Sequence, residues 1–201
     1  MIPKELEHLP VDPRGFAIPY FVSFIDGKPE FRLLDISKQY KCIADRLCAV
    51  CGRKLPKDSM FFIGGILTFT NRVCTDPGMH RICAEYSLMT CPHMYYERAQ
   101  RREKGLEGMP IEDSKILDPG KPKQLYLIKA SKYKAIPHPH VKDANLIRFA
   151  PMKAEIYAYE DGELFKTNEV ICRGSDGRHD ESGSGLLQFD KSPKKLIDGK
   201  G

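Results

Sequence analysis

The sequence predicts an α+β protein, in which antiparallel β-hairpins and a few helices accompany a compact metal-binding module. Three observations carry this reading. Two β-rich stretches fold back on Asp-Gly pairs, Asp26-Gly27 and Asp161-Gly162, the favoured residues of a two-residue hairpin turn. Ile36, Tyr40, Ile43 and Leu47 recur at helical spacing. Cysteines and one histidine cluster with the spacing of metal ligands rather than of disulfides.

Length and composition set the frame for these elements. The chain has 201 residues, 41% of them hydrophobic and 29% charged, with no Trp. A chain of this length can bury roughly 70% of its unfolded surface, enough for a core without disulfide staples. No apolar run approaches the ~18–20 residues of a membrane-spanning helix, and the opening MIPKELEHLPVDPRG has no signal-type apolar region. Seven cysteines, an odd number, do not fit a fully paired secreted framework. The expectation is a cytoplasmic protein with no membrane partner. A net charge of +5 is too mild to specify a polyanionic partner by itself.

In chain order, Tyr20–Ile25 is β-branched and aromatic, and Phe31–Leu34 returns after the first Asp-Gly turn. Asp35 can cap a helix over 36–47, in which Cys42 serves packing. Met60–Ile63 and Ile66–Phe69 flank Gly64-Gly65 and read as a second hairpin. Asp76-Pro77 suits a helix opening, with the helix ending near Cys91 because Pro92 disfavours a helical residue before it. A further helix is expected over 93–104, then a Gly, Pro and charge-rich linker over 105–123. The C-terminal part, 124–172, is β-rich: Leu125–Ile128 forms one strand, and 154–159 pairs with 164–166 across the second Asp-Gly turn. In 173–185 seven of thirteen residues are Gly or Ser, which reads as the start of a flexible tail over 173–201. On this division the N-terminal hairpin, first helix and metal module occupy 1–104.

Cys48-Ala49-Val50-Cys51-Gly52 is a C-x2-C-G knuckle, where two thiolates grip one ion around a tight turn and Gly52 permits a positive φ. His80 and Cys83, three apart at the start of a helix, share one face. Three thiolates and an imidazole suit tetrahedral Zn²⁺ and fill its coordination shell, so the zinc expected here is structural. Two alternatives compete: a redox pair at Cys48 and Cys51, and replacement of one ligand by Cys74 or Cys91. Gly52 and Pro56 after the knuckle disfavour the first, because a redox pair should open a helix. Cys91 lies about 80° around a helix from Cys83, which places it beside the site rather than in it. Cys172 reads as a packed thiol.

Knuckle, hairpin and helix in this order resemble the treble-clef zinc fold over residues 47–91. A second resemblance runs through Cys48–Gly52, Phe62-Ile63-Gly64, Asn71-Arg72, Pro77–Tyr86 and Cys91–Met94, with Arg14-Gly15-Phe16 to Phe31-Arg32 before them. These motifs are similar to those of a group of uncharacterised proteins encoded by bacteriophages and by prophage-carrying bacterial genomes. That likeness implies a viral or mobile-element origin and a host-cell setting. Treble-clef folds also host His-Asn-His nucleases, whose chemistry needs a His on the hairpin; the stretch 60–69 contains none. His138 and His140, separated by Pro139, could form a second metal site, but a Pro-spaced pair in a loop reads as solvated.

Charge is unevenly spread. From Lys121 to Ala154 eight cations face Asp143 alone, whereas 155–181 carries eight acids and three bases. Lys121, Lys123, Lys129, Lys132 and Lys134 occur without an intervening acid, and Tyr126 and Tyr133 are interleaved as base-stacking rings would be. The functional expectation is a zinc-stabilised binding protein whose partner is nucleic acid or a host protein, with a treble-clef nuclease as the alternative. No P-loop, nucleophile elbow or dinucleotide fingerprint is present.

Overall fold

The computed structural model describes residues 1–98, 121–138 and 145–172. The first Asp-Gly turn joins β1 (Val22–Ile25) to β2 (Lys28–Leu34), with Asp26 and Gly27 both at positive φ as this turn requires. Asp35 caps α1 (Ile36–Asp45) by accepting the Lys38 N–H. The helix stops before Leu47 because Arg46 turns left-handed, φ 54°, and aims the chain into the knuckle.

The remaining elements are β3 (Met60–Gly64), α2 (Ile66–Asn71), β4 (Val73–Cys74), α3 (Arg81–Thr90), α4 (Pro92–Tyr95), β5 (Gln124–Pro137), β6 (Asn145–Glu160) and β7 (Glu163–Ile171). They build a five-stranded antiparallel sheet in the order β3-β5-β6-β4, with β7 also pairing β6. Strands from both halves of the chain therefore share one sheet. The second Asp-Gly hairpin forms as expected, between β6 and β7.

Three expectations are corrected. Residues 60–69 are not a hairpin, since β3 pairs with β5 and the chain continues into α2. Phe69 of α2 stacks on Tyr126 of β5, ring centroids 4.8 Å apart, and Gly64 leaves room for Thr68, which a Cβ would meet at 2.4 Å. The helix expected from Asp76-Pro77 begins only at Arg81. Met79 instead exchanges two 2.9 Å backbone hydrogen bonds with Phe61, and Ala49 donates to the Gly78 carbonyl, which keeps this stretch extended. The helix expected over 93–104 ends at Tyr95, where Tyr96 bridges to Glu163 and Glu97 donates to Gly162. The rest of that helix, most of the 105–123 linker, His140 and the 173–201 tail lie outside the described residues.

Alternation along the strands sends Met60 and Phe62 to one face of the sheet and Phe61 to the other. Phe62, fully buried, stacks on Phe149 at 4.6 Å and meets Tyr133 edge-on at 6.4 Å; α1 and α2 cover this face. On the opposite face α3 is fastened through Arg81, whose guanidinium lies over Phe61 and bonds Glu155 of β6.

Candidate metal centre and basic strand pair

Local backbone geometry builds the knuckle. Gly52 sits at φ 69° and donates to the Cys48 carbonyl, while Cys48 donates to Arg53. The Gly52 Cα faces the Tyr20 ring so closely that a Cβ would lie 3.0 Å from it. Nothing helical follows Cys51, so the setting of a redox pair is missing. None of the seven cysteines is joined in a disulfide.

Cys48, Cys51, His80 and Cys83 converge, with one ligand atom from each lying within 4.8 Å of all the others. A tetrahedron with zinc–sulfur arms has edges of about 3.8 Å. The Cys51 Sγ–His80 Nδ1 and Cys83 Sγ–His80 Nδ1 separations, 3.3 and 3.9 Å, bracket that value. His80 Nε2 lies 2.9 Å from the Lys54 carbonyl, to which it donates; this leaves Nδ1 as the ligand atom and fixes the ring. His80 is the residue before α3, and its backbone N–H approaches Cys48 Sγ at 3.4 Å.

The electrostatics of the cluster are mutually opposed. Hydrogen bonds from Cys48 and Cys83 hold the Cys51 thiol far below its ordinary value, and bonds to Cys48 and Cys51 push Cys83 far above it. Bonds to Cys48 and Cys51 raise His80 to about 10. A divalent cation resolves this competition, because metal-bound thiols give up their protons. The four side chains can thus hold a metal ion, and their chemistry is that of a zinc site.

The other cysteines stand apart from the quartet. Cys74 is buried and its thiol donates to the Asp76 carbonyl. Cys91 caps the end of α3. Cys42 is 1% exposed, and burial first, then the nearby Cys48 and Cys51, pushes its thiol up to about 12, which fits a packing role. Cys172 is half-buried against the core.

The basic residues separate into two groups. Lys121 is half-buried, donates to the carbonyls of His93 and Tyr96, and lies 5.0 Å from the Tyr159 ring centre. It fastens the end of α4 rather than facing a partner. Lys123 is exposed just before β5. Lys132 and Lys134 are exposed at the other end of that strand, roughly 30–35 Å further along. Lys129 is half-exposed between them.

Neither tyrosine is a free stacking surface. Tyr126 is 5% exposed beneath Phe69. Tyr133 packs on Phe62 and donates its hydroxyl to the Ile43 carbonyl. One basic residue not assigned to this surface from sequence, Arg148 of β6, is the direct cross-strand partner of Lys134 and is exposed beside it. His138 follows β5 directly and is half-buried, outside any metal-type cluster among the described residues.

No helix among the described residues is long and apolar enough to cross a membrane. Comparison of the chain with protein-family models, with curated proteins and with solved structures finds no match.

Proposed function

We propose that this is a zinc-stabilised binding protein that contacts the phosphates of nucleic acid through the exposed end of the β5–β6 strand pair. The observation that carries the reading is the placement of Lys132, Lys134 and Arg148. All three are exposed on the face opposite Tyr133 and Phe149, and none has an acidic partner among the described residues. Like charges directly opposite each other destabilise a sheet, so the Lys134–Arg148 pairing costs stability that a polyanion would return. Lys129, brought to the same face by the bulge near Ala130, extends the cluster.

Zinc in this reading is a brace. Four protein ligands complete its tetrahedral shell and leave no position for a reactive water, which disfavours the nuclease alternative. That alternative also loses its hairpin, since 60–69 is a strand followed by a helix. A protein partner is the second reading, favoured by the rings of Phe24 and Phe31, 49% and 40% exposed on the N-terminal hairpin. The phage resemblance makes a host protein the natural candidate.

A gel-shift salt titration tests the proposal. Binding should weaken steeply with salt. A Lys129→Glu, Lys132→Glu, Lys134→Glu variant should lose binding while keeping its zinc and its fold. Wild-type affinity in that variant would show the strand pair to be only a solvated face.

A further inference from the structure

Resting on the nucleic-acid reading above, we infer that the β5–β6 surface takes duplex rather than single-stranded nucleic acid, gripping phosphates only. Proteins that hold single strands combine a basic groove with aromatic rings on which the unstacked bases lie. The sequence places two tyrosines among the lysines, but the fold turns both rings inward. Tyr126 lies flat against Phe69, interplanar angle 9°, and Tyr133 is held between Phe62 and the Ile43 carbonyl. Among the described residues of β5 and β6 no aromatic side chain is exposed, and exposed neighbours of the cations include Ala150 and Met152. A patch of cations among small and aliphatic side chains has nothing to offer an unstacked base.

What it does offer is dense positive charge on a rigid support. Lys132 and Lys134 stand two residues apart on one strand, about 7 Å along it. Arg148 pairs directly with Lys134, so its Cα lies about 5 Å across the ladder. Three cations thus occupy a patch narrower than one turn of a duplex. A duplex presents one phosphate charge per ~1.7 Å of axis, about twice the density of either strand alone. Contacts of this kind carry no sequence information, so the surface reads charge density and not bases.

The test is fluorescence anisotropy with the zinc-loaded full chain and four probes: a 20-bp DNA duplex, the matching RNA duplex, and one single strand of each. The expected result is at least tenfold tighter binding of a duplex than of its single strand at fixed salt, independent of sequence. The DNA and RNA arms show which duplex is preferred. With four phosphate contacts, from Lys132, Lys134, Arg148 and the neighbouring Lys129, duplex affinity should fall ~150-fold between 50 and 200 mM salt. In a Lys132→Ala, Lys134→Ala variant the same change should cost only ~12-fold, because the Arg148 and Lys129 contacts remain. Zinc content and circular dichroism confirm that this variant is folded. Single strands bound as tightly as duplexes would overturn the duplex inference and leave nucleic-acid binding standing. No salt-dependent binding of any probe would overturn both.

Discussion

Glu155 is the charge on which the attachment of the metal module to the sheet should depend. Its side chain is only 4% exposed, yet it accepts a 2.8 Å bond from Arg81, lies 3.1 Å from Lys166 Nζ, and receives the Tyr157 hydroxyl at 3.3 Å. Burial alone would raise its pKa. The bonds from Lys166 and Arg81 prevail and hold it below the usual carboxylate value. Arg81 directly follows the ligand His80, so this ion pair ties the metal-bearing end of α3 to β6. A charged hydrogen bond in such a setting contributes about 1.5–3 kcal/mol. Arg81 and Lys166 are 45% and 38% exposed, however, and each regains water when released, which lowers the net loss.

Glu155→Gln keeps one acceptor oxygen but turns an amide N–H₂ toward the other cation. We expect a loss of about 1–2.5 kcal/mol, read as a lower denaturant midpoint with an unchanged slope. A double-mutant cycle with Lys166→Met should give a coupling of about 1 kcal/mol. The pH dependence has a definite sign. A carboxylate with a depressed folded pKa adds stability that is complete above its unfolded pKa, near 4.5, and is lost as pH falls through the lower folded value. The gap between wild type and Glu155→Gln should therefore be full at pH 6–7, begin to narrow as pH falls below about 4.5, and close once pH has passed the lower folded value. Protonation of the metal ligands affects both proteins and cancels in that difference. A coupling of zero, with a gap that ignores pH, would refute the argument.

Other residues give sharper yes-or-no outcomes. Purified protein should carry about one equivalent of Zn²⁺ by elemental analysis, and Cys51→Ser should lose it together with much of the melting temperature, whereas Cys172→Ser should change neither by much. Gly52→Ala forces a Cβ onto a left-handed turn 3.0 Å from Tyr20 and should cost about 1–3 kcal/mol in equilibrium unfolding. Tyr126→Ala removes a buried ring stacked on Phe69 and should cost about 3–5 kcal/mol, with duplex affinity per folded molecule unchanged.

What the sequence made legible was whatever is decided locally. Both Asp-Gly turns, the Asp35 cap and the knuckle with its positive-φ Gly52 depend on residues within a few positions of one another, and each formed as read. The metal quartet was legible because its chemistry selects residue types at short spacing. The stretch 60–69 was not, because it is apolar throughout. Whether Gly64-Gly65 reverses the chain or admits a helix is settled by β5, some sixty residues away. Tyr126 and Tyr133 failed for a related reason. Seven positions apart, they would face opposite sides of a regular strand. Register breaks around Ala130 bring both rings to the core face, and the same breaks align Lys129 with Lys132 and Lys134 on the other.

The quartet and the sheet are linked more closely than their separation in sequence suggests. Cys48 and Cys51 lie before β3, while His80 and Cys83 lie after β4, so one ion would close a loop of about thirty residues. Treated as a cross-link, that closure removes chain entropy from the unfolded state worth roughly 3–4 kcal/mol. The loop contributes β3 on one side of the β5–β6 pair and β4 on the other. Val73 of β4 pairs directly with Arg148. A metal bound at the knuckle therefore steadies both strands that flank the long pair carrying the basic cluster, without touching any residue of it. On the proposed reading, zinc and the basic cluster would divide the work: the ion would supply rigidity to a sheet whose exposed end places like charges side by side, and no acidic side chain among the described residues pairs with Lys132, Lys134 or Arg148.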